Sequence, residues 1–221
     1  MGSLLEPIIL FLVLFFPGVY SSGIAGLNTE TIPFMVFREL SRTLTYTLPS
    51  LALLWYLIAG KTSAPKLKVK LKKGDLISFA AGFPALILIG LGNTILVSLI
   101  SHSERFATPL RIETPASAVG WVVLVFSCLC SGYLEECYFR YYLLTKLENS
   151  STPQVINILF SAVLFSVCHI YEGPWGFLNA LLAGIFLALL FTRYRSLHGI
   201  AWAHAAYNLF VYVLSNFQQA A

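Results

Sequence analysis

The strongest constraint on this chain is a group of three charged side chains, Glu135, Glu136 and Arg140, within an otherwise apolar run over residues 119–144. On membrane-insertion scales, a charge at the centre of a helix costs roughly 2.5 kcal/mol or more. Three such side chains in one helix are tolerated where they face the interior of a helix bundle. The run therefore predicts a buried functional site, and the competing hypothesis is a salt-bridge cluster without a chemical role.

The spacing of the three charges indicates different roles for the two acids. Successive residues of a helix point about 100° apart, so Glu135 and Glu136 face different neighbours. Glu136 and Arg140 are four positions apart with the acid first, which is the favoured order for a helical ion pair. We therefore interpret Glu136–Arg140 as a structural ion pair at the site. Glu135 is left to hold a water molecule and is the candidate chemical carboxylate.

The whole chain is rich in apolar residues. Of its 221 residues, 57% are hydrophobic and 11% are charged, whereas soluble domains carry about 25% charged residues. A mean hydropathy of +0.78 agrees with an integral membrane protein surrounded by a lipid bilayer. Because a lipid-exposed backbone must satisfy its own hydrogen bonds, long apolar runs predict helices. No basic patch interleaved with aromatic residues indicates a nucleic-acid partner.

These runs predict an all-α fold, a polytopic transmembrane helix bundle of about seven to eight spans. The candidate spans cover residues 4–20, 40–59, 76–101, 119–144, 154–171, 175–192 and 197–217. An eighth, shorter helix has room between residues 21 and 39. Since the chain shows no internal repeat and no soluble segment, residues 1–221 are predicted to form a single integral membrane domain with N-terminal spans over 4–101.

A lysine-rich loop at residues 61–75 sets the expected orientation of the bundle. It carries six lysines, and the positive-inside rule assigns such a loop to the cytoplasm. With seven spans, Lys146, Arg193 and Arg195 share that side, which then holds nine Lys/Arg against four on the opposite side. The N-terminus is therefore expected inside and the C-terminus outside, and one missed helix would move the N-terminus across.

Two later spans carry further polar side chains at helical spacing. Phe165 and His169 share one helix face, and His204 and Asn208 share another. A single histidine within a membrane is more often a packing residue that makes a hydrogen bond. Two histidines and an asparagine, added to an acidic pair in a third helix, favour a common polar pocket. At about 1.5 Å of rise per residue, their depths overlap with that of Glu135.

In chain order, the polar motifs are Glu135-Glu136-x-x-x-Arg140, Phe165-x-x-x-His169 and His204-x-x-x-Asn208. In this order and in separate helices, they resemble the motifs of the CPBP intramembrane proteases, which include the CAAX prenyl endopeptidases of the Rce1 type. The resemblance covers about residues 119–210 and extends to the segment from Gly184 through Arg193 to His204. The first hundred residues match the family only in being hydrophobic and helical.

The resemblance implies hydrolysis of a peptide bond within the membrane by a glutamic-type protease. Glu135 would be the general base on a water molecule that His169 helps to position. His204 and Asn208 would stabilise the tetrahedral oxyanion, and an asparagine donor of this kind contributes about 10²–10³ in rate. These four residues are the expected catalytic set.

The family resemblance implies no cofactor, and we expect no metal. The alternative is Zn²⁺ held by Glu135, His169 and His204 with an open position, although the chain contains no HExxH helix. The expected partner is a membrane protein or lipidated peptide as substrate: a prenylated CAAX tail, the C-terminal sorting helix of an exported protein, or a bacteriocin-type leader. The protein is expected to be multi-pass and, if prokaryotic, to lie in the cell inner membrane.

A non-enzymatic membrane protein is the alternative function. An immunity or scaffold protein could use the same buried polar cluster to sequester a peptide, and a small transporter could use it as a proton relay. Transporters often contain inverted repeats, and this chain shows none. A sequestering protein tolerates loss of the Glu135 carboxylate, whereas an enzyme does not.

Overall fold

The apolar runs of this chain form long helices. The computed structural model describes residues 4–26, 34–59, 71–100, 113–149 and 151–217, and within these ranges the chain contains no strand. The helices of the described ranges are α1 Leu5–Gly26, α2 Val36–Arg42, α3 Leu48–Ala59, α4 Lys73–Ile100, α5 Ala118–Glu136, α6 Thr145–Glu148, α7 Gln154–Val167, α8 Gly173–Tyr194 and α9 Leu197–Phe217.

Wider turns join some of these helices into longer ones. The π-helix Thr43–Thr47 joins α2 to α3, and the π-helix Cys137–Leu144 joins α5 to α6. A short 3-10 helix, Ile170–Glu172, leads into α8. The described residues therefore form seven continuous helical segments, and the predicted fold class, an all-α helical membrane bundle, is confirmed.

The helices extend past several of the predicted limits. The third candidate span begins at Lys73, and the fourth continues to Glu148. Among the described residues, three segments are long and apolar enough to cross a membrane by length and composition, namely Lys73–Ile100, Ala118–Glu148 and Ile170–Tyr194. Residues 27–33 and 61–70 lie outside the described residues, so the eighth helix and the orientation of the lysine loop stay predictions, as does the single domain.

The segment that follows the acidic pair forms the centre of the bundle. Tyr138, Phe139 and Leu143 are fully buried. The Phe139 ring meets the Phe165 ring of α7 edge-on at 5.3 Å, and the Tyr138 hydroxyl donates a 2.6 Å hydrogen bond to the carbonyl of Pro7 in α1. Within a membrane, dispersion contacts and hydrogen bonds of this kind hold helices together, because lipid is as apolar as the side chains. The central segment therefore ties α1 and α7 to α5.

Small residues bring α9 into close contact with α4 and α5. A Cβ atom on Gly132 of α5 would lie 2.9 Å from the carbonyl oxygen of Ala201 in α9. A Cβ atom on Gly82 of α4 would lie 2.9 Å from the Cβ of Ala203. Small residues at such positions let membrane helices approach closely. α9 is thus held between α4 and α5, which fixes its polar side chains relative to the acidic pair.

Ion pairs gather at one end of the bundle. Arg195 donates two hydrogen bonds to the Glu148 carboxylate, at 2.6 and 2.9 Å, and the Lys146 ammonium lies 3.0 Å from the Glu6 carboxylate. These pairs bring together the first turn of α1, the end of α6 and the turn between α8 and α9. Lys146 and Arg195, two of the cations that the positive-inside rule assigns to the cytoplasm, therefore lie at the same end.

Candidate active site

Glu136 and Arg140 form a fully buried ion pair where α5 passes into its π-helical continuation. Arg140 Nη1 lies 3.2 Å from Glu136 Oε1, and neither side chain is exposed. Arg140 Nη2 also donates a 3.2 Å hydrogen bond to the Gly184 carbonyl of α8, and the guanidinium sits 4.5 Å from the centre of the Phe165 ring. The arginine therefore connects three helices through contacts that its charge strengthens.

The same carboxylate also holds a histidine from α9. His204 Nδ1 and Glu136 Oε1 are 2.8 Å apart, and the His204 side chain is 6% exposed. Because a carboxylate only accepts, the Nδ1–H of His204 donates this bond. The bond fixes the orientation of the imidazole and directs Nε2 toward Glu135. Glu136 is therefore more than the partner of Arg140, since it also positions His204.

Glu135 lies beside this network in a different environment. Its side chain is 20% exposed, and its Oε2 atom is 3.7 Å from His204 Nε2. This Oε2 atom is buried and has no hydrogen-bond partner among the described residues. One carboxylate of the acidic pair is thus fully shielded and bonded through Oε1, and the other is partly exposed. Each keeps a buried Oε2 atom without a hydrogen-bond partner among the described residues.

His169 lies where the helix of the fifth candidate span ends. The prediction extended this helix to residue 171, but α7 ends at Val167, and a 3-10 turn follows His169. His169 Nδ1 is 3.1 Å from the Phe165 carbonyl, and its ring centre is 4.8 Å from that of Phe165. The Phe165 ring also meets His204 edge-on at 5.7 Å. One aromatic ring therefore contacts both histidines.

Asn208 lies one turn beyond His204 on α9 and is half-buried. Within the described part of the chain, no hydrogen bond joins it to Glu135, His169 or His204. The structure therefore brings Glu135 and His204 together directly and His169 next to them through Phe165. It places Asn208 on the same helix as His204 without a bond to the others.

The same side chains include possible ligands for a metal ion. Glu135 Oε2 and His204 Nε2 are close enough to share a ligand. In the described residues, however, no group of three or more His, Cys, Asp and Glu side chains is arranged to hold a metal ion. The bond of His169 to the Phe165 carbonyl involves Nδ1 and leaves Nε2 for another partner. The residues therefore do not fit the three-ligand zinc site in this conformation.

Three features of the site have no signal in the spacing of the sequence. The bond between Glu136 and His204 joins residues 68 positions apart, and the carbonyl of Gly184 is a backbone group that no motif marks. The π-helix Cys137–Leu144 is also not predicted by spacing the charged residues on a regular α-helix. Such wide turns occur frequently at functional sites, which agrees with its place immediately after the acidic pair.

Comparison with known protein families connects this geometry to an activity. Residues 117–210 match the family model described as type II CAAX prenyl endopeptidase Rce1-like. No curated protein and no solved structure matches the chain significantly. The matched segment contains all the candidate catalytic residues and the Glu136–Arg140 ion pair. The match confirms the resemblance that the three motifs carry: residues 117–210 of this chain are similar to the Rce1-like type II CAAX prenyl endopeptidases, a family of proteases.

Proposed function

We propose that this chain is an intramembrane endopeptidase in which Glu135 is the general base on a water molecule. The contrast between the two adjacent carboxylates carries the proposal. Glu136 is fully buried and its Oε1 is bound to Arg140 and His204, whereas Glu135 is 20% exposed and its unbonded Oε2 lies 3.7 Å from the Nε2 of His204. An unbonded carboxylate oxygen beside a histidine is available to accept a proton during catalysis.

One water molecule placed beside Glu135 and His204 can bridge them. Their Oε2 and Nε2 atoms are 3.7 Å apart. A water molecule can form hydrogen bonds of about 2.8 Å to both atoms at once. In this proposal His169 contributes to positioning the same water from the end of α7. The water is thereby held next to a base, and the Glu136 bond keeps the imidazole from rotating away.

The proposed reaction consumes one water molecule. Glu135 takes a proton from the water as the water oxygen attacks the carbonyl carbon of the scissile peptide bond. The carbonyl oxygen becomes an oxyanion, which Asn208 and the imidazolium form of His204, through its Nε2–H, stabilise by donating hydrogen bonds. Collapse of this intermediate breaks the C–N bond, and the proton held by Glu135 passes to the leaving amine. The products are a new carboxylate and a new amine.

The proposed substrate is a membrane-associated protein or peptide with a CAAX-type or C-terminal sorting tail. The family description supports a prenylated tail, because the matching family acts on CAAX sequences. A CAAX tail carries its lipid on a cysteine followed by three residues. We further propose a multi-pass protein, located in the inner membrane if the organism is prokaryotic, with the three long apolar helices crossing the bilayer.

Hydrolysis of a defined peptide tests this function. The purified protein, reconstituted in liposomes, is expected to cleave a farnesylated peptide that ends in Cys-Val-Ile-Ser at a single bond. Mass spectrometry should show the released tripeptide and incorporation of one oxygen from labelled water. Liposomes without the protein provide the background. A reconstituted, folded protein that cleaves neither this peptide nor a membrane-protein tail would contradict the proposed function.

The mechanism is proposed to be metal-free, with Zn²⁺ as the alternative. Cleavage is then expected to continue at an unchanged rate after incubation with a membrane-permeant chelator, because no step uses a metal. Elemental analysis of the purified protein should find zinc well below one ion per chain. Stoichiometric zinc, together with chelator-sensitive activity that added Zn²⁺ restores, would instead make Glu135, His169 and His204 metal ligands.

A further inference from the structure

One buried aromatic ring touches both histidines of the candidate site. Phe165 lies in the last turn of α7 and is 2% exposed. Its ring centre is 4.8 Å from that of His169 and 5.7 Å from that of His204, which belongs to α9. Within the described ranges, no hydrogen bond joins the two imidazoles to each other. The Phe165 ring is therefore their direct physical connection.

The backbone of Phe165 also fixes the imidazole of His169. Because α7 ends at Val167, the backbone N–H of His169 bonds to the Ser166 carbonyl in a tighter, 3-10 turn. The Phe165 carbonyl accepts from the backbone N–H of Cys168 and lies 3.1 Å from His169 Nδ1. A carbonyl oxygen only accepts, so Nδ1 carries a proton, and Nε2 of the neutral imidazole presents a lone pair.

The histidine of α9 is held in the same way. His204 Nδ1 bonds to Glu136 Oε1, and its Nε2 lies 3.7 Å from Glu135 Oε2. Each imidazole is thus fixed by one hydrogen bond at Nδ1 and presents Nε2 to the site. A single hydrogen bond still lets a ring tilt about the bonded atom. Contact with a rigid neighbouring ring restricts this tilt, because packing holds side chains in defined rotamers.

The Phe165 ring is itself enclosed by a slot made of Arg140, Phe139 and Gly184. The Arg140 guanidinium lies 4.5 Å from the ring centre, and the Phe139 ring meets it edge-on at 5.3 Å. On α8, a Cβ atom added to Gly184 would lie 3.1 Å from Phe165 Cδ1 and 3.3 Å from Ala162 Cα. The first distance is shorter than an ordinary carbon–carbon contact, so a side chain at this position requires the ring to move.

Gly184 connects the slot to the buried ion pair. Its missing side chain admits the Phe165 ring, and its carbonyl accepts a 3.2 Å hydrogen bond from Arg140 Nη2. The ring, the guanidinium and the two imidazoles therefore form one packed unit. Because such a unit is close-packed, a displacement of the ring is passed on to the imidazoles that touch it.

We propose that Phe165, seated against Gly184, is the positioning residue that sets the two histidines relative to Glu135, an assignment that rests on the proposed endopeptidase function. The ring acts through the imidazoles and makes no bond to the water or the substrate. Groups that act together on one water have to be held within about 0.5 Å of the productive geometry. A misplacement of about 1 Å can reduce the rate by about 10²-fold.

Replacement of the ring tests this role. Phe165→Leu keeps a buried apolar side chain and removes the ring that both imidazoles touch. For the reconstituted protein and a farnesylated peptide ending in Cys-Val-Ile-Ser, kcat is expected to fall about 10- to 100-fold. KM should stay the same, because the ring contributes to catalysis and not to substrate binding. Both constants are compared at equal amounts of folded protein.

Phe191→Leu is the matched control for this change. Phe191 of α8 is likewise 2% exposed and likewise lies near an arginine, with the Arg195 guanidinium 5.5 Å from its ring centre. Within the described ranges, its ring contacts neither histidine. The melting temperature in detergent should therefore fall as it does for Phe165→Leu, whereas kcat of the folded protein should equal that of the unmodified protein.

A glycine variant moves the ring without removing an atom. Gly184→Ala adds a methyl group against Phe165, and kcat is expected to fall about tenfold with KM unchanged. Gly92→Ala of α4 adds the same group where no atom lies within 4 Å and should keep the full kcat. Gly184→Ala/Phe165→Leu should be no slower than Phe165→Leu, because the shorter side chain leaves space for the methyl group.

Each result either supports or contradicts the assignment. Full kcat in folded Phe165→Leu overturns it, and so does an equal loss of kcat in Phe191→Leu, because packing alone then accounts for the effect. If Phe165→Leu does not fold, full kcat in folded Gly184→Ala overturns it. Losses that multiply in the double variant rule out the slot. These results leave the endopeptidase function intact. Cleavage of neither this peptide nor a membrane-protein tail by the unmodified protein overturns the function and the inference with it.

Discussion

Glu135→Gln is expected to abolish peptide cleavage while the protein stays folded. Glutamine keeps the size of the side chain and most of its hydrogen bonding, but it cannot accept a proton. General acid–base catalysis contributes about 10²–10⁴ in rate, so single-turnover cleavage of a reconstituted substrate should fall to background. Glu148→Gln is the matched control. It removes a carboxylate at the charged end of the bundle and should retain the rate of the unmodified protein.

The partners of Glu135 should show losses that do not add. A base and a histidine acting on one water behave as a unit, so His169→Ala should be nearly as inactive and the double variant little worse than either single one. Asn208→Ala should retain trace activity, because an oxyanion donor contributes about 10²–10³ and water can replace it. Folded Glu135→Gln protein that cleaves at the unmodified rate would rule out this mechanism. If a strain that carries Glu135→Gln keeps full biological function without cleavage, the alternative of a protein that sequesters a peptide would be favoured.

Arg140→Ala is expected to cause the largest loss of stability. The change removes the ion pair with Glu136, the bond to the Gly184 carbonyl and the contact with Phe165. Breaking a buried pair by removal of one partner costs about 3–5 kcal/mol, because the remaining charge is uncompensated. Thermal melting in detergent and the yield of folded protein should therefore both fall well below those of Glu135→Gln.

An exposed ion pair provides the control for this comparison. Arg195→Ala removes the same side-chain type from the pair with Glu148, where the arginine side chain is 51% exposed. Pairs of this kind contribute about 0–1 kcal/mol, so the melting curve should change little. If Arg140→Ala and Glu135→Gln lose equal stability, Glu135 belongs to the structural network, and the separate roles proposed for the two acids are incorrect.

The sequence predicts the helices well because their signal is local. Apolar length alone identifies seven segments, and Arg140 can be assigned to Glu136 from their spacing on one helix. The limits of the helices are less predictable. α5 continues through a π-helix to Glu148, and this continuation lies in the tightly packed central segment. α7 ends early at Val167, and the backbone turns at His169.

The sequence predicts which residues form the site, but it does not predict the hydrogen bonds between them. Motif spacing selects Glu135, His169, His204 and Asn208, and the family resemblance supplies their expected roles. Neither the spacing nor the resemblance shows that Glu136 bonds to His204, because that bond depends on how α9 packs against α5. Close packing through small residues sets this distance, and small residues are common in membrane helices for many reasons.

The close approach at Gly132 determines how a substrate can enter. A Cβ atom there would meet backbone atoms of Ala201 and Ala205 at 2.9 and 3.2 Å, so α5 and α9 touch one turn from Glu135, and Gly82 closes the other side of α9 against Ala203. Neither seam opens without displacing the helix that carries His204. A substrate of the proposed protease therefore has to reach Glu135 by a route other than these two seams.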